Sequence, residues 1–269
     1  MKLLFTDLDG TLLNNDSQVS PDTRTFLHDF LQAGNKLILS SGRPLLSILE
    51  VKENAGLTQP GIFLTCSNGT QIYDCDRACC IWEKRLSLSY VPYLQAQADN
   101  YGLHIQTYTA DAIVSPAEDA EITYYRRKIH LPLLISPNLR DALTEGPFKM
   151  LAISLNDFDK LEAFRSSISD WAQNKVRTIY SNHMYLELFD WDAGKGNAVR
   201  FLCDYFHVPL SDAYAAGDAD NDISMLAAAG TGIAMLNASE KVKQKADVIT
   251  GLDNDHDGLA ATMRQLLHI

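Results

Sequence analysis

The stretch LLFTDLDGTLL, residues 3–13, joins an apolar run to two carboxylates and then becomes apolar again. The run from Lys2 to Thr6 predicts a short strand that is buried on both faces. Asp7 and Asp9 follow it with only Leu8 between them, and two like charges this close raise the pKa of at least one carboxyl. A buried strand gives no reason for such a pair, so partners for the two carboxylates are expected elsewhere in the chain.

The segments that follow alternate between helix and strand patterns. Residues 20–34 predict a helix, because Ser20 is a good N-cap, Pro21 suits the first turn and Gly34 suits a C-terminal stop. A strand, a helix and a strand are predicted next, in the segments Lys36–Ser40, Pro44–Gly56 and Gly61–Cys66. Strands that alternate with helices in this way predict an α/β fold with a doubly wound parallel sheet, that is, a Rossmann-like core.

A different pattern occupies the middle of the chain. Between residues 83 and 185 the predicted strands come singly or in adjacent pairs, which is typical of an α+β layer with an antiparallel sheet. The first pattern then returns with the strand-like run DAYAAGD and the helical segment NDISMLAAAG, closed by Gly230. We therefore predict a core made of residues 1–82 and 186–269 and an inserted domain at 83–185. The polar, proline-punctuated stretch at 115–138 allows no prediction.

Composition limits the possible partners. The net charge of -11 argues against binding to a nucleic-acid polyanion, and no stretch approaches the roughly 20 apolar residues of a membrane span. Asp7 and Asp9 interrupt the apolar start before a signal peptide can form. An odd number of cysteines, 5, argues against a disulfide framework. We expect a cytoplasmic protein with reduced thiols, and the composition implies no nucleic acid, membrane or protein partner.

Polar residues follow four of the predicted core strands. They are Asp7 with Asp9, Ser41, Asn68, and Asp218 with Asp222. In a doubly wound sheet ligands bind outside the carboxyl ends of the strands, so we expect these residues to line one crevice. Several carboxylates in one crevice repel one another, and a divalent cation resolves that repulsion. All-oxygen ligands favour Mg²⁺, which also binds a substrate phosphate.

The order of residues in the first stretch indicates a division of labour. Asp7 lies directly after the strand and could attack a phosphorus atom to form an aspartyl-phosphate. Asp9 could protonate the leaving oxygen and then deprotonate the water that hydrolyses the intermediate. A bound metal would neutralise the phosphoryl group and so admit an anionic nucleophile.

Four motifs resemble those of the haloacid dehalogenase (HAD) superfamily. DLDGTL resembles its first motif, DxDGT, and LILSSGR resembles its second, a strand that ends in Ser or Thr. The lysine of AGKGNAV resembles the third-motif lysine, and GDADNDISML resembles the fourth motif of the Cof-type sugar-phosphate phosphatases, subfamily IIB. SNG at Ser67 and GIAMLNAS at Gly232 also recur in that subfamily. The resemblance covers the whole chain, and the insert lies where the family carries its C2 cap domain.

The resemblance implies a role for each motif residue. Asp7 would be the nucleophile and a metal ligand. Asp9 would be the general acid and base and would bind the metal through its backbone carbonyl. Asp218 would be a further ligand of Mg²⁺. The transferring phosphoryl group would be bound by Ser41, Gly42, Lys195 and Asn221. Asp222 would orient the lysine or a water on the metal. The function implied is a Mg²⁺-dependent phosphatase that acts on a small phosphorylated metabolite, with sugar phosphates as the expected class.

Two segments depart from the subfamily pattern. Members usually have Thr-Gly-Arg where this chain has Ser41-Gly42-Arg43, and a serine hydroxyl can do the same work. Gly-Val-Ser or Gly-Val-Asn often precedes the lysine, whereas this chain has Trp191–Gly194. The departures leave the chemistry intact but make the leaving-group specificity of the family less transferable.

Other functions and roles stay open at this level. A phosphomutase of the phosphomannomutase type would need a second phosphate site, for which the basic residues Arg126, Arg127 and Lys128 are candidates. A regulator that binds a metal or ligand without catalysis is a third possibility, and dehalogenation is disfavoured because dehalogenases lack a residue equivalent to Asp9. Arg43 could pair with a core carboxylate or with substrate.

Overall fold

The structure is a computed structural model that describes residues 1–268. Its first part contains β1 (Leu3–Thr6), α1 (Pro21–Gln32), β2 (Lys36–Ser40), α2 (Leu45–Asn54), β3 (Ile62–Cys66), β4 (Gln71–Asp74) and β5 (Cys79–Glu83). The middle part contains α3 (Val91–Asn100), β6 (His104–Tyr108), β7 (Ile113–Ser115), α4 (Ala120–Tyr125), β8 (Leu133–Ile135), β9 (Lys149–Ile153), α5 (Phe158–Ala172), β10 (Val176–Asn182) and β11 (Tyr185–Asp190). The last part contains α6 (Lys195–Phe206), β12 (Ala213–Gly217), α7 (Ile223–Leu226), β13 (Thr231–Ala234), α8 (Glu240–Lys243), β14 (Val248–Ile249) and α9 (Gly258–Leu267).

The core unit, made of residues 1–83 and the residues from 194 onward, is built on an eight-stranded sheet. The strand order is β14-β13-β12-β1-β2-β3-β4-β5, and the pairs from β14 to β3 are parallel. β1 is entirely buried, and Phe5 lies between Ala215 of β12 and Ile38 of β2. This sheet confirms the predicted α/β class, because apolar runs buried on both faces are the strands of a parallel sheet.

An antiparallel hairpin extends one edge of this sheet and was not predicted from the sequence. β4 pairs with β3 and β5 pairs with β4, both in antiparallel register. The hairpin carries three of the five cysteines, Cys75, Cys79 and Cys80, and all five thiols of the protein are free, as expected. β5 is half exposed and only five residues long, so it lacks the apolar run by which a central strand is recognised.

Helix α1 forms as the sequence predicts. The Ser20 side chain accepts a hydrogen bond from the backbone N–H of Thr23, and Pro21 lies in the first turn. Phe26, Leu27, Phe30 and Leu31 form its buried stripe. The predicted helix after Asp218 is shorter than expected: a 3-10 turn at Asp220–Asp222 leads into the four residues of α7, because the chain must turn within a few residues to start β13.

The second unit spans Lys84–Ala193 and has its own six-stranded sheet. The order is β10-β11-β9-β6-β7-β8, and all pairs are antiparallel except β7 with β8. Apolar residues of α3 and α5 pack with one face of this sheet in a separate core, which includes Leu94, Phe164 and Ile168. The stretch at 115–138 that allowed no prediction holds the end of β7, helix α4 and strand β8.

The boundary between the units differs from the predicted one. The sequence pattern put the return to the core at residue 186, whereas the structure puts it at Gly194. The reason is strand pairing: β11 runs from Tyr185 to Asp190 and is hydrogen-bonded on both sides, to β10 and β9. The first boundary differs by one residue, since the core extends to Glu83. Among the described residues, no helix combines the length and apolar character needed to cross a membrane.

Candidate active site

Neighbouring strands of the core sheet bring the predicted site residues to one edge. β12, β1 and β2 are adjacent and parallel, so the residues that follow them, Asp218, Asp7 and Ser41, leave the sheet side by side. The backbone N–H of Asp7 continues the ladder by donating to the carbonyl of Ala216 over 2.9 Å. The strand order thus gives the physical reason why residues about 200 positions apart in the chain meet.

A buried lysine joins two of the carboxylates. Lys195 is the first residue of α6, and its Nζ donates to Asp7 Oδ1 over 2.5 Å and to Asp222 Oδ1 over 2.6 Å. Its side chain is fully buried. Burial lowers the pKa of Lys195, but the nearby Asp222 and Asp7 outweigh this effect and raise the pKa above its ordinary value. Lys195 is therefore held as an ammonium between two carboxylates and is no surface lysine.

Asp222 has both carboxylate oxygens engaged. Oδ1 accepts from Lys195, and Oδ2 accepts from the backbone N–H of Asp218 over 3.2 Å and of Ala219 over 3.1 Å. The side chain has no solvent exposure. These contacts fix both the lysine and the turn that carries Asp218, which is the positioning role expected of Asp222.

Asp218 is held by a residue of the opening stretch. The Thr11 hydroxyl donates to Asp218 Oδ1 over 2.9 Å, a contact that the sequence did not reveal. Gly10 has a φ of +81°, and a Cβ at this position would lie 2.6 Å from Asp218 Oδ2, so only glycine fits here. Burial and then the nearby Asp222 raise the pKa of Asp218 to about 7.

Asp7, Asp218 and Asp222 form a candidate metal site. Each offers a carboxylate oxygen, and these oxygens lie within 4.8 Å of one another, an arrangement found nowhere else among residues 1–268. Burial raises the pKa of Asp7, and Asp222 and Asp218 raise it further against the opposing effect of Lys195. Three carboxylates around one ammonium leave an excess of negative charge, and oxygen donors of this kind fit Mg²⁺. Because both oxygens of Asp222 are engaged, Asp7 and Asp218 are the better ligands.

Asp9 does not join this cluster through its side chain. Its Oδ1 accepts from Arg43 Nη2 over 2.7 Å and its Oδ2 accepts from Arg43 Nε over 2.9 Å, a bidentate pair. The Asp9 side chain is 40% exposed and that of Arg43 is 11% exposed. Of the two partners open to Arg43 on sequence grounds, the structure shows the carboxylate. The pair joins loops after β1 and β2, so no spacing in the sequence could indicate it.

Ser41 is buried and held by its own loop. Its Oγ accepts from the backbone N–H of Arg43 over 3.2 Å, across Gly42. The N-cap of α2 is Pro44, so Ser41 does not cap that helix. The hydroxyl hydrogen of Ser41 therefore stays available for a ligand beside Asp7.

Asn221 pairs with a residue from the loop after β3. Its Nδ2 donates to Asn68 Oδ1 over 3.0 Å, and both side chains are buried. The sequence marked Asn68 only as the polar end of a strand. A second asparagine, Asn237, donates from Nδ2 to the carbonyl oxygen of Gly10 over 2.8 Å and so braces the turn that follows Asp9. It belongs to the motif GIAMLNAS, which sequence reasoning left without a role.

The basic residues of the second unit lie on its surface. Arg126, Arg127 and Lys128 follow helix α4 and are all exposed. The Arg127 guanidinium lies 5.3 Å from the ring centre of Tyr124. Exposure of all three fits a solvated basic patch.

Comparison with known proteins gives a consistent result. A family profile described as haloacid dehalogenase-like hydrolase matches residues 4–263. The 5-amino-6-(5-phospho-D-ribitylamino)uracil phosphatase YwtE of Bacillus subtilis is 27% identical to this chain, over 99% of the chain and 98% of its own length. A haloacid dehalogenase-like hydrolase from Bacteroides thetaiotaomicron, of known crystal structure, is 30% identical with a TM-score of 0.88, over 98% of this chain and 99% of its own.

A further solved structure has the same fold. The HAD subclass IIB sugar phosphatase BT4131 superposes with a TM-score of 0.82 over 100% of both chains at 21% identity. At this identity the likeness concerns the fold alone.

Proposed function

The chain belongs to the family of haloacid dehalogenase-like hydrolases and is a phosphatase of that family, and from this premise we propose that it hydrolyses small phosphate monoesters, chiefly sugar phosphates, through an aspartyl-phosphate on Asp7. The observation that carries the proposal is that the two oxygens of the Asp7 carboxylate differ in their hydrogen bonds. Lys195 binds Oδ1, whereas Oδ2 accepts no hydrogen bond from any residue between 1 and 268. Asp7 thus has one oxygen fixed and the other available for attack.

In the first half-reaction Asp7 Oδ2 attacks the phosphorus atom of the ester. The bond from phosphorus to the leaving oxygen breaks, its electron pair goes to that oxygen, and Asp9 supplies the proton. Lys195, the Ser41 hydroxyl and the backbone N–H of Gly42 bind the oxygens of the transferring group and stabilise its charge. Mg²⁺, held by Asp7 and Asp218 with the backbone carbonyl of Asp9, would supply charge neutralisation at the phosphoryl group.

In the second half-reaction Asp9 takes a proton from a water molecule, and the resulting hydroxide attacks the phosphorus. The bond between phosphorus and Asp7 Oδ2 breaks, which releases phosphate and restores Asp7. Arg43 acts through Asp9: the bidentate pair fixes where the carboxylate lies. Because Asp222 accepts a hydrogen bond from Lys195, it keeps the lysine beside Asp7 through both half-reactions.

The substrate class is inferred from a relative and from the position of the second unit in the chain. The relative YwtE is named for a substrate that carries its phosphate on a ribityl chain, a sugar-derived polyol. The second unit occupies the place in the chain where the family has its C2 cap, the part that varies with the leaving group. We therefore propose phosphorylated sugars or polyols, and the exposure of Arg126, Arg127 and Lys128 gives no observation in favour of a phosphomutase.

The proposal is tested with a panel of phosphate esters assayed for phosphate release in the presence of Mg²⁺. We expect turnover on one or more sugar phosphates, loss of turnover in EDTA and recovery with added Mg²⁺. A rapid quench with ³²P-labelled ester should trap label on the protein in a hydroxylamine-sensitive form in wild type. If the wild-type enzyme turns over esters without ever carrying label, the aspartyl-phosphate is wrong; if it hydrolyses no ester, the proposed function is wrong.

A further inference from the structure

The loop after β3 has an unusual backbone and lies against two parts of the site. Ser67, Asn68 and Gly69 all have positive φ, at 49°, 61° and 85°. The backbone N–H of Asn68 donates to the carbonyl oxygen of Ser41 over 2.9 Å. A Cβ on Gly69 would lie 2.6 Å from the carbonyl of Gly194, directly before Lys195, so the loop is wedged between the Ser41 loop and the start of α6.

The side chain of Asn68 enters this space together with that of Asn221. Relative exposure is 1% for Asn68 and 6% for Asn221, and one hydrogen bond of 3.0 Å joins the two amides. Their other polar atoms, Asn68 Nδ2 and Asn221 Oδ1, are buried and have no hydrogen-bond partner among the described residues. Buried polar atoms almost always have partners in folded proteins, so the unmatched donor of Asn68 and the unmatched acceptor of Asn221 call for a partner such as a ligand or a water.

The amide pair has a property that does not depend on how the amides are turned. Two amides that share one hydrogen bond always leave one NH₂ group and one carbonyl oxygen unused, because turning both over only exchanges their positions. In this structure one N–H of the Asn221 amide donates to Asn68, and both N–H groups of Asn68 Nδ2 are without a partner among the described residues. A phosphoryl group offers only acceptor oxygens and therefore requires that donor.

We propose, resting on the proposed function, that Asn68 is a further phosphoryl-binding residue: its Nδ2 donates to an oxygen of the transferring phosphoryl group, and Asn221 orients it. Asn68 thereby adds a donor beside Asn221, the residue to which sequence reasoning gave this role. It is a third side-chain donor beside Lys195, at the start of α6, and Ser41, after β2. The spare acceptor, Asn221 Oδ1, then faces a group that carries a hydrogen, such as a water or a substrate hydroxyl.

The test measures binding of inorganic phosphate, as a competitive inhibitor and by calorimetry in the presence of Mg²⁺. Asn68→Asp keeps the acceptor for Asn221 and tolerates a positive φ but lacks the donor. Asn68→Ala lacks the donor without adding charge. We expect both variants to raise the inhibition constant of phosphate by at least about tenfold, with KM for the ester rising in parallel. Asn35→Asp, at the opposite end of the sheet, adds the same charge and should bind phosphate like wild type.

Three outcomes overturn the inference. Weaker binding in Asn68→Asp with wild-type binding in Asn68→Ala would mean charge repulsion alone. A lower melting temperature with unchanged phosphate affinity would mean a structural role alone. An equal loss of phosphate affinity in Asn35→Asp would mean an effect of net charge that does not depend on position. These results differ from a failure of the proposed function, in which the wild-type protein neither binds phosphate nor hydrolyses p-nitrophenyl phosphate.

Discussion

Two buried lysines, one in each unit, contrast in the charges around them. Lys149 of β9 donates to Glu187 Oε2 over 2.7 Å, and the side chains of the pair are 1% and 4% exposed. The other oxygen of Glu187 accepts from the Ser181 hydroxyl over 3.1 Å. Lys195 is buried as deeply, but it lies among Asp7, Asp218 and Asp222. The Lys149 ammonium thus pairs with the Glu187 carboxylate in the second unit, whereas the Lys195 ammonium lies among three carboxylates in the core.

This difference separates buried charges that stabilise the fold from buried charges that take part in catalysis. A buried ion pair whose hydrogen bonds are satisfied can be a purely structural feature. An excess of buried carboxylates costs stability in every state except the one in which a cation or a protonated group is bound. We therefore assign the Lys149–Glu187 pair to the stability of the fold and the Lys195 cluster to catalysis.

The largest effect on turnover is expected when a carboxylate that pairs with a buried lysine is replaced by the corresponding amide. Asp7→Asn should lower turnover by about 10⁴-fold or more, because an amide cannot form the acyl-phosphate, while the protein stays folded. Glu187→Gln should leave turnover of p-nitrophenyl phosphate within about threefold but lower stability by about 3–5 kcal/mol, because it removes the carboxylate of a buried ion pair. Initial rates and thermal unfolding of both variants are the measurements.

The two variants separate the alternatives because each serves as the control for the other. Near-wild-type turnover in Asp7→Asn would refute the nucleophile. A collapse of turnover in Glu187→Gln at a temperature where it is fully folded would show that the second lysine also serves the chemistry, and the division would fail.

The next effect concerns Asp9, which lies outside the carboxylate cluster. Asp9→Asn should lower turnover by about 10²–10⁴-fold, the usual range for loss of a general acid and base. The loss should be smaller with p-nitrophenyl phosphate than with a sugar phosphate, since p-nitrophenolate leaves without a proton. Steady-state rates on the two esters test this. Equal losses on both esters would count against proton donation to the leaving oxygen.

A moderate effect is expected from pH and Mg²⁺ together. The pKa of Asp218 is about 7 in the fold and 3.8 as the ordinary value, so between these values the folded chain holds more protons than the unfolded one. Without metal, stability should fall as the pH rises through this window. Mg²⁺ competes with the proton, so the increase in melting temperature caused by Mg²⁺ should be larger at pH 8 than at pH 5.5. An increase that is independent of pH would show that no proton on Asp218 competes with Mg²⁺ in this range.

The smallest effect is expected at Ser41. Ser41→Thr keeps the hydroxyl and restores the residue usual in the subfamily, so kcat/KM should stay within about threefold of wild type. Ser41→Ala removes the hydroxyl and should raise KM for the ester. Steady-state kinetics of the two variants decide whether the hydroxyl, rather than the shape of the side chain, is what the site requires.

Strand positions could be predicted from the sequence, and side-chain pairing across loops could not. Asp7 and Asp218 follow apolar runs that are long enough to be recognised, and parallel pairing then brings their ends together. The bonds of Arg43 with Asp9 and of Asn68 with Asn221 join loops that no periodicity relates. β11 was assigned to the wrong unit for a related reason: its pattern shows a strand but does not show which sheet it joins.

The order in which β1 acquires its neighbours has a consequence for synthesis of the protein. β2 starts at Lys36 and can pair with β1 early, whereas β12 starts at Ala213 and reaches the other side of β1 only late. Until then β1 presents an open strand edge in the middle of the future sheet, and Asp7 and Lys195 have no Asp218 or Asp222 beside them. Ribosome-bound chains that stop short of residue 218 are therefore expected to be inactive and prone to aggregation, and the site can be complete only after residue 222 has been added.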